Sequence, residues 1–298
     1  MLRLLYRREL TSAARNFKTP AAIIVNNGIL ALVAIFSYYL EFESRGNLGQ
    51  TVKGTAILDI YSLLCIIEFG VVFISTLLLT VPSMIRERKN HSFDLLMAAG
   101  VSPIKVLLAK LLATVTIVMT IIFSSCPILG IVFYVGGISV KNMFVMMMML
   151  FVVAFYMGSI GIFCSSFCKR NITAAVSAST FGFLVILGTL VVVSGTYLMK
   201  KVSMGLEVTD SATMVSVGKL SLLLLLNPLY NFLLLLNEQL GVMSQLFRWI
   251  TVYEGSTTVG DQWVLYSGLL QMLISIGFLW SSAKRLKDKK RNKRAILK

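Results

Sequence analysis

Glu68 is the residue whose position in this sequence most directly suggests chemistry. It lies in the middle of the apolar stretch 60–79, IYSLLCIIEFGVVFISTLLL. Burying a charged carboxylate at membrane depth costs about 2.5 kcal/mol or more, so such groups usually face the interior of a helix bundle or a water-filled cavity. Glu68 is therefore either a pathway or gating contact or an ion site, or a protonated or hydrogen-bonded carboxyl that fixes helix packing. The residues alone leave both readings open.

The other residues that could carry chemistry give little support for catalysis or metal binding. His91 is the single histidine of the chain, and a hydrolytic metal site usually needs several histidine or carboxylate ligands. The four cysteines, Cys65, Cys126, Cys164 and Cys168, lie within or at the edge of apolar runs, which indicates neither a disulfide framework nor a metal site. No GxxxxGK[ST] loop is present, so the chain does not bind and hydrolyse ATP by that route. We expect no catalytic, cofactor-binding or metal-ligating residues.

Most of the chain consists of apolar runs long enough to cross a membrane. The sequence is 57% hydrophobic and 14% charged, with a mean hydropathy of +0.83. Backbone groups in lipid must be hydrogen-bonded internally, so these runs form helices. We predict an all-α polytopic membrane protein with six transmembrane helices. They are expected at residues 20–40, 56–81, 106–135, 143–167, 172–199 and 263–282.

The distribution of lysine and arginine predicts the orientation. Basic residues cluster in the N-terminal segment, in the loops after the second and fourth spans, and in the tail 284–298. Six spans put all of these on one side, which the positive-inside rule assigns to the cytoplasm together with both termini. The formal net charge of +15 then fits cytoplasmic loops and contact with anionic membrane lipids, and it does not favour nucleic acid as a partner.

The segment 220–240, LSLLLLLNPLYNFLLLLNEQL, is apolar enough to suggest a seventh span. A seventh span would move the basic tail to the outer side, and Pro228 removes a backbone donor from its middle. We predict instead two short helices broken at Asn227 and Pro228, within an extracytoplasmic segment 200–262. Whether these helices re-enter the membrane or lie on its outer surface stays open.

The loop 82–104 between the second and third spans carries a short charged and amphipathic helix. Arg86 and Glu87 mark the exit from the membrane, and Phe93 and Leu96 place apolar groups on one helical face. Such a helix can insert its apolar face into a groove on a partner protein. It can equally rest that face on lipid, and the residues alone do not decide between the two.

This loop resembles the coupling-helix region of ABC type-2 exporter permeases. In that family a Glu-Arg-rich patch ends a span, a helix similar to Gly-Thr-Leu-Glu-x-Leu-Leu follows, and the next span carries a lysine. Residue 91 is histidine where the family usually has glycine, and residue 100 is glycine where it usually has proline. The matching positions are Glu87-Arg88, residues 91–96 (HSFDLL), Val101-Ser102 and Lys110, with the entry-helix motifs 8–10 (REL) and 18–20 (KTP) and the motif 226–232 (LNPLYNF).

The resemblance implies a permease subunit without its own motor, in the membrane of a bacterial cell. Such a subunit pairs with a second permease subunit, identical or different, and binds two separate ABC ATPase subunits that carry ATP and Mg²⁺. It also implies that Phe93, Asp94 and Leu96 enter a groove of the ATPase, with Arg86 and Glu87 as flanking charge contacts.

The expected organisation is a single permease domain over residues 1–298. It comprises an amphipathic entry helix at 1–19, the coupling loop at 82–104, the extracytoplasmic segment at 200–262 and the basic cytoplasmic tail at 284–298. A competing hypothesis is a non-transporting membrane scaffold or sensor that recruits a cytoplasmic partner through the same loop. An intramembrane enzyme is less favoured, because Glu68 has no second catalytic group in the apolar runs.

Overall fold

The structure, a computed structural model, describes residues 2–15, 17–46, 54–89, 101–136, 139–168, 170–204, 218–240 and 260–296. These residues form helices and contain no strand, which confirms the all-α prediction. The helices are α1 (Leu2–Ala14), α2 (Lys18–Gly46), α3 (Gly54–Lys89), α4 (Pro103–Gly136), α5 (Val140–Phe167), α6 (Asn171–Phe183), α7 (Thr189–Ser203), α8 (Pro228–Leu240) and α9 (Gly260–Ile296). A π-helical turn, Leu184–Gly188, joins α6 to α7, and a 3-10 helix, Gly218–Leu226, precedes α8.

Within the described residues, six helical stretches are long and apolar enough to cross a membrane, which confirms the predicted number. They are Thr19–Leu40, Ile57–Arg86, Pro103–Ile131, Val140–Phe167, Asn171–Lys200 and Gln262–Lys287. The second stretch continues past the predicted end at residue 81, because the helix accommodates Pro82 and runs on into the charged residues. Helix α9 likewise continues beyond its apolar part into the basic tail.

The core lies between α3, α4 and α5. In α4 and α5, 67% of the most apolar window is buried, whereas in the span of α2 the share is 11% and in those of α6–α7 and α9 it is 22%. The peripheral spans therefore present broad apolar faces to their surroundings. Such faces are expected where a helix contacts lipid or another membrane subunit.

Small residues let α5 approach α3 closely. A Cβ atom built on Gly158 would lie 2.5 Å from Leu111 Cδ1 and 3.3 Å from Thr76 Cγ2. A Cβ on Gly161 would meet the side chain of Thr80. A methyl group at either position would have to displace these side chains, so the two glycines let α5 lie close to α3 and α4.

Helix α8 packs inside the bundle. Most of its residues are buried, and the ring centroid of Phe232 lies 5.0 Å from that of Phe69, the residue after Glu68 in α3. The two short helices predicted on either side of Asn227 and Pro228 are present. The second of them occupies space between the spans, which distinguishes it from a helix lying on an outer surface.

Candidate functional site

The predicted coupling loop emerges from the ends of α3 and α4. Arg86 is exposed in the last turn of α3, and Glu87 follows it in the same turn. Phe93, Asp94 and Leu96 fall in residues 90–100, which lie outside the described residues, so their contact with an ATPase stays a prediction. Both ends of the loop are anchored, because Met84 and Ile85 near its start and Val101 near its end are buried in the core.

A buried lysine links three helices close to this loop. Lys110 of α4 is 3% exposed, and its Nζ lies 3.5 Å from Oε1 of Glu9 in α1. The same ammonium donates a hydrogen bond of 3.2 Å to the carbonyl oxygen of Ser83 in α3. A second contact joins α1 to α4, where the hydroxyls of Tyr6 and Thr116 are 2.9 Å apart.

These contacts hold α1 to the same ends of α3 and α4 that carry the loop. A buried ammonium is stable only where a partner charge and acceptors compensate its lost hydration, and Glu9 and Ser83 supply them. Sequence reasoning assigned Glu9 and Lys110 to separate motifs and did not pair them. Their long separation along the chain gives no local signal of the contact.

Glu68 lies in the interior of the bundle, as predicted, with an exposure of 0%. The hydroxyl of Ser125 in α4 donates to Glu68 Oε1 at 2.8 Å. The side-chain amide of Asn26 in α2 donates to Oε2 at 3.4 Å. We call these three residues, one each from α2, α3 and α4, the Glu68 cluster. A pathway or gating role for Glu68 stays a prediction.

The helix break at Asn227 is capped by that residue's own side chain. Asn227 Oδ1 accepts hydrogen bonds from the backbone N–H groups of Leu229 at 3.0 Å and Tyr230 at 3.1 Å, the geometry of an N-cap. Pro228 occupies the first position of α8, where its missing N–H costs nothing. The sequence pattern Asn-Pro therefore both ends one helix and starts the next.

The amide nitrogen of Asn227 ties this break to the π-helical turn. It donates to the carbonyl oxygen of Ile186 and to Oγ1 of Thr189, both at 2.9 Å. A π-helical turn leaves backbone groups without their usual helical partners, and this side chain supplies one. Sequence reasoning missed the π-helical turn, although Gly182 lies just before it and Gly188 is its last residue.

Asn231 forms further hydrogen bonds to the backbone at the helix break. Its Nδ2 donates to the carbonyl oxygens of Leu224 and Leu225, each at 3.2 Å, and of Asn227 at 2.7 Å, while its Oδ1 accepts from Trp263 Nε1 at 3.1 Å. We call Asn227, Asn231, Thr189 and Trp263 the Asn227 network. Non-helical backbone at membrane depth is tolerated where it is buried in protein. This network forms hydrogen bonds to the backbone groups at the helix break.

The model of the family described as ABC-2 family transporter protein matches residues 17–283. This chain belongs to the ABC-2 transporter family. The resemblance seen in the sequence is thereby confirmed. A search of curated proteins finds no match.

Membership defines the coarse function. An ABC-2 family protein is a multi-pass membrane component of an ABC transporter, and its permease character agrees with the six apolar helices. The family works with ABC ATPase partners. In this ABC-2 family protein the candidate functional site is therefore the end of the bundle where α1, α3 and α4 meet beside the loop 82–104, together with the buried polar groups deeper in the bundle.

Proposed function

We propose that this chain is the permease subunit of an ATP-driven exporter. In this proposal two separate ABC ATPase subunits dock at the loop 82–104, and a second permease subunit completes the pathway. The observation that carries the proposal is the anchoring of the loop, because Ile85 near its start and Val101 near its end are both buried in the core. A loop fixed at both ends moves α3 and α4 when a partner moves it.

The links to α1 extend this movement to the N-terminal helix. Because Lys110 contacts Glu9 of α1 and the backbone of Ser83 in α3, a displacement at the end of α3 changes the position of α1 as well. A nucleotide can drive such a switch only if the ATPase contacts differ between its two states. We expect those differential contacts to involve Phe93, Asp94 and Leu96, flanked by Arg86 and Glu87.

The distribution of basic residues supports a cytoplasmic location for this end of the bundle. Arg7 and Arg8 are exposed on α1 and Arg86 on α3. The guanidinium of Arg285 in α9 stacks on the ring of Phe167 at 3.5 Å, so the end of α5 and the start of the basic tail lie together. Under the positive-inside rule this side faces the cytoplasm, with both termini.

A second permease subunit is consistent with the exposure of the peripheral spans. Large apolar side chains are exposed along α2, along α6 and α7, and along α9, among them Phe36, Leu184 and Leu273. Lipid covers such surfaces, and a second subunit can cover one of them while leaving a pathway between the two copies. The strongly apolar surroundings favour an amphipathic or lipid-like cargo.

The test removes the two apolar side chains of the loop from the complex of this chain with its ABC ATPase. Phe93→Ala with Leu96→Ala is expected to lower permease-stimulated ATP hydrolysis about tenfold or more, since losing interface anchors costs about 1.4 kcal/mol or more. Membrane insertion is expected to be unchanged. The measurement is ATP hydrolysis by the complex reconstituted in liposomes.

The matched control truncates one phenylalanine and one leucine outside the loop. Phe144 and Leu269 are 57% and 56% exposed, in α5 and α9, and Phe144→Ala with Leu269→Ala is expected to leave hydrolysis within about twofold of wild type. Equal activity of both double variants would count against docking at the loop. Binding of a partner without any dependence on nucleotide would favour the scaffold or sensor hypothesis instead.

A further inference from the structure

The Glu68 cluster has more hydrogen-bond acceptors than donated hydrogens. The single hydroxyl hydrogen of Ser125 faces two acceptors, Glu68 Oε1 at 2.8 Å and the carbonyl oxygen of Ile122 at 2.7 Å. Asn26 Oδ1 is buried and has no hydrogen-bond partner among the described residues. The bond from Asn26 Nδ2 to Glu68 Oε2 is long, at 3.4 Å.

One additional proton removes this excess. The oxygen and nitrogen of an asparagine amide exchange places when the group turns by 180°, and the choice between them is made from the hydrogen-bond network. If Glu68 is a carboxylic acid, its O–H donates to Asn26 Oδ1 in the turned amide, and the amide nitrogen takes the position that Oδ1 held before. Its other oxygen then accepts from Ser125. A neutral carboxyl also avoids the cost of burying a charge.

The described parts of the helices that meet at Glu68 bring no lysine or arginine side chain to stabilise a carboxylate. The sequence has no lysine or arginine in the apolar parts of the helices that meet at Glu68, at residues 20–40, 57–85 and 111–136. The titratable groups that sense Glu68 are the thiols of Cys65 in α3 and Cys126 in α4. A thiol is neutral or, when deprotonated, negative, so neither group supplies a positive charge.

A metal cation fits the cluster less well than a proton. The side chains offer four oxygens at most, the two of Glu68 with Ser125 Oγ and Asn26 Oδ1. Calcium takes six to eight oxygen ligands, and magnesium requires an octahedral set. Glu68 and Ser125 have exposures of 0% and Asn26 of 3%, which leaves little space for the waters that would complete such a shell.

Asn26 has an unusual position in α2. Among the described residues of this helix, Asn26 and Leu30 alone are buried. The neighbouring Asn27 adds only a long contact of 3.4 Å to Ser124 of α4. The first span therefore contacts the core through a narrow strip of side chains, in which Asn26 is the buried polar residue beside Leu30, Val33 and Ala34.

We propose that the Glu68 carboxyl is a proton-binding site and that its bound proton joins α2 to α3 through an O–H···O bond to Asn26. We call this hydrogen bond the latch, because it holds the first span to the core and forms only when the proton is bound. When the latch opens and water reaches the carboxyl, the proton leaves to that water and the carboxylate is hydrated. The proposal does not depend on the direction of transport or on where the ATPase docks.

The test is infrared difference spectroscopy of the full-length chain in detergent micelles at neutral pH. Subtracting the spectrum of Glu68→Gln from that of wild type is expected to leave the carbonyl band of a protonated carboxylic acid, which shifts in D₂O. A difference that contains only carboxylate bands would overturn the proposal. An acid band that appears only after sodium, calcium and magnesium ions are removed would overturn it in favour of a cation.

A second variant keeps the test informative if Glu68→Gln folds poorly. Asn26→Ala removes the acceptor of the proton, so the acid band is expected to move to higher frequency and backbone hydrogen exchange in α2 to rise several-fold. Asn27→Ala is the matched control and is expected to leave both unchanged. An unshifted acid band in Asn26→Ala would overturn the latch.

Discussion

The Asn227 network and the Glu68 cluster both bury polar side chains among the spans, but they differ in how fully those side chains are hydrogen-bonded. Every side-chain oxygen and nitrogen of Asn227 and Asn231 has a partner, at distances between 2.7 and 3.2 Å. In the Glu68 cluster one bond is 3.4 Å long and Asn26 Oδ1 has no partner among the described residues.

This difference indicates a structural role for the Asn227 network and a role that can change with protonation for the Glu68 cluster. The Asn227 network replaces backbone hydrogen bonds lost at the helix break and the π-helical turn, and a fully bonded network makes its surroundings rigid. The Glu68 cluster joins α2 to the core by side chains alone, and one proton alters its pattern. Departures from complete hydrogen bonding are expected where a protein functions.

The largest effect is expected from Asn227→Ala. The substitution removes the cap of α8 and leaves the backbone N–H groups of Leu229 and Tyr230 and the carbonyl of Ile186 without this partner. We expect a loss of about 2–3 kcal/mol in the free energy of unfolding, since a cap contributes about 1 kcal/mol and each buried unpaired group costs about 1–3 kcal/mol. Unfolding in mixed detergent micelles measures it.

Asn237→Ala in the same helix is the matched control for that prediction. Asn237 is half-buried and lies near the end of α8, so its loss is expected to cost no more than about 0.5 kcal/mol. If Asn227→Ala were equally mild, the Asn227 network would not be the rigid element that its geometry implies.

An intermediate effect is expected when Glu68 is replaced by an apolar residue. Glu68→Leu leaves the Asn26 amide without a partner, and we expect a loss of about 1–2 kcal/mol. Glu68→Gln offers an amide that donates to Asn26 and a carbonyl that accepts from Ser125, so it is expected to stay within about 0.5 kcal/mol of wild type. Equal losses in the two variants, in the same unfolding assay, would mean that the native group is a carboxylate.

The smallest effect is expected from Ser125→Ala. The hydroxyl of Ser125 shares one hydrogen between Glu68 and Ile122, and hydrogen bonds between membrane helices contribute about 0.6 kcal/mol on average. Ser124→Ala removes the 3.4 Å contact to Asn27 and a bond to the carbonyl oxygen of Ile121 within its own helix, and it is expected to be nearly neutral. A double-mutant cycle of Ser125→Ala with Glu68→Leu, which removes the acceptor, measures the coupling, and zero coupling would contradict the hydrogen bond.

Much of the fold follows from hydropathy and from two residues. The six spans were predicted within a few residues, because apolar length and charged ends define them. Asn227 and Pro228 predicted the helix break, because proline cannot continue a helix and asparagine caps the next one. The burial of α8 was not predictable, since a leucine-rich face is equally suited to lipid and to the protein interior.

The side chains that contact the candidate site residues could not be predicted from the sequence either. Glu68 was recognised as an interior residue from its depth alone, but nothing in the spacing identifies Asn26 or Ser125 as its neighbours. The pairing of Lys110 with Glu9 depends on how α1 folds back along α4, a tertiary contact without a local pattern. Hydrophobic periodicity locates helices and their buried faces, whereas individual polar contacts depend on helix packing.

The central claim, that an ATPase moves this permease from its cytoplasmic loop, is tested most directly by photo-cross-linking. A photoreactive amino acid in place of Phe93 is introduced into the complex in native membranes, with the same group in place of Phe144 as control. We expect position 93 to cross-link to the ABC ATPase, with a yield that changes on ATP binding, and position 144 not to do so. Cross-links from position 93 to lipid alone, with or without ATP, would contradict the account.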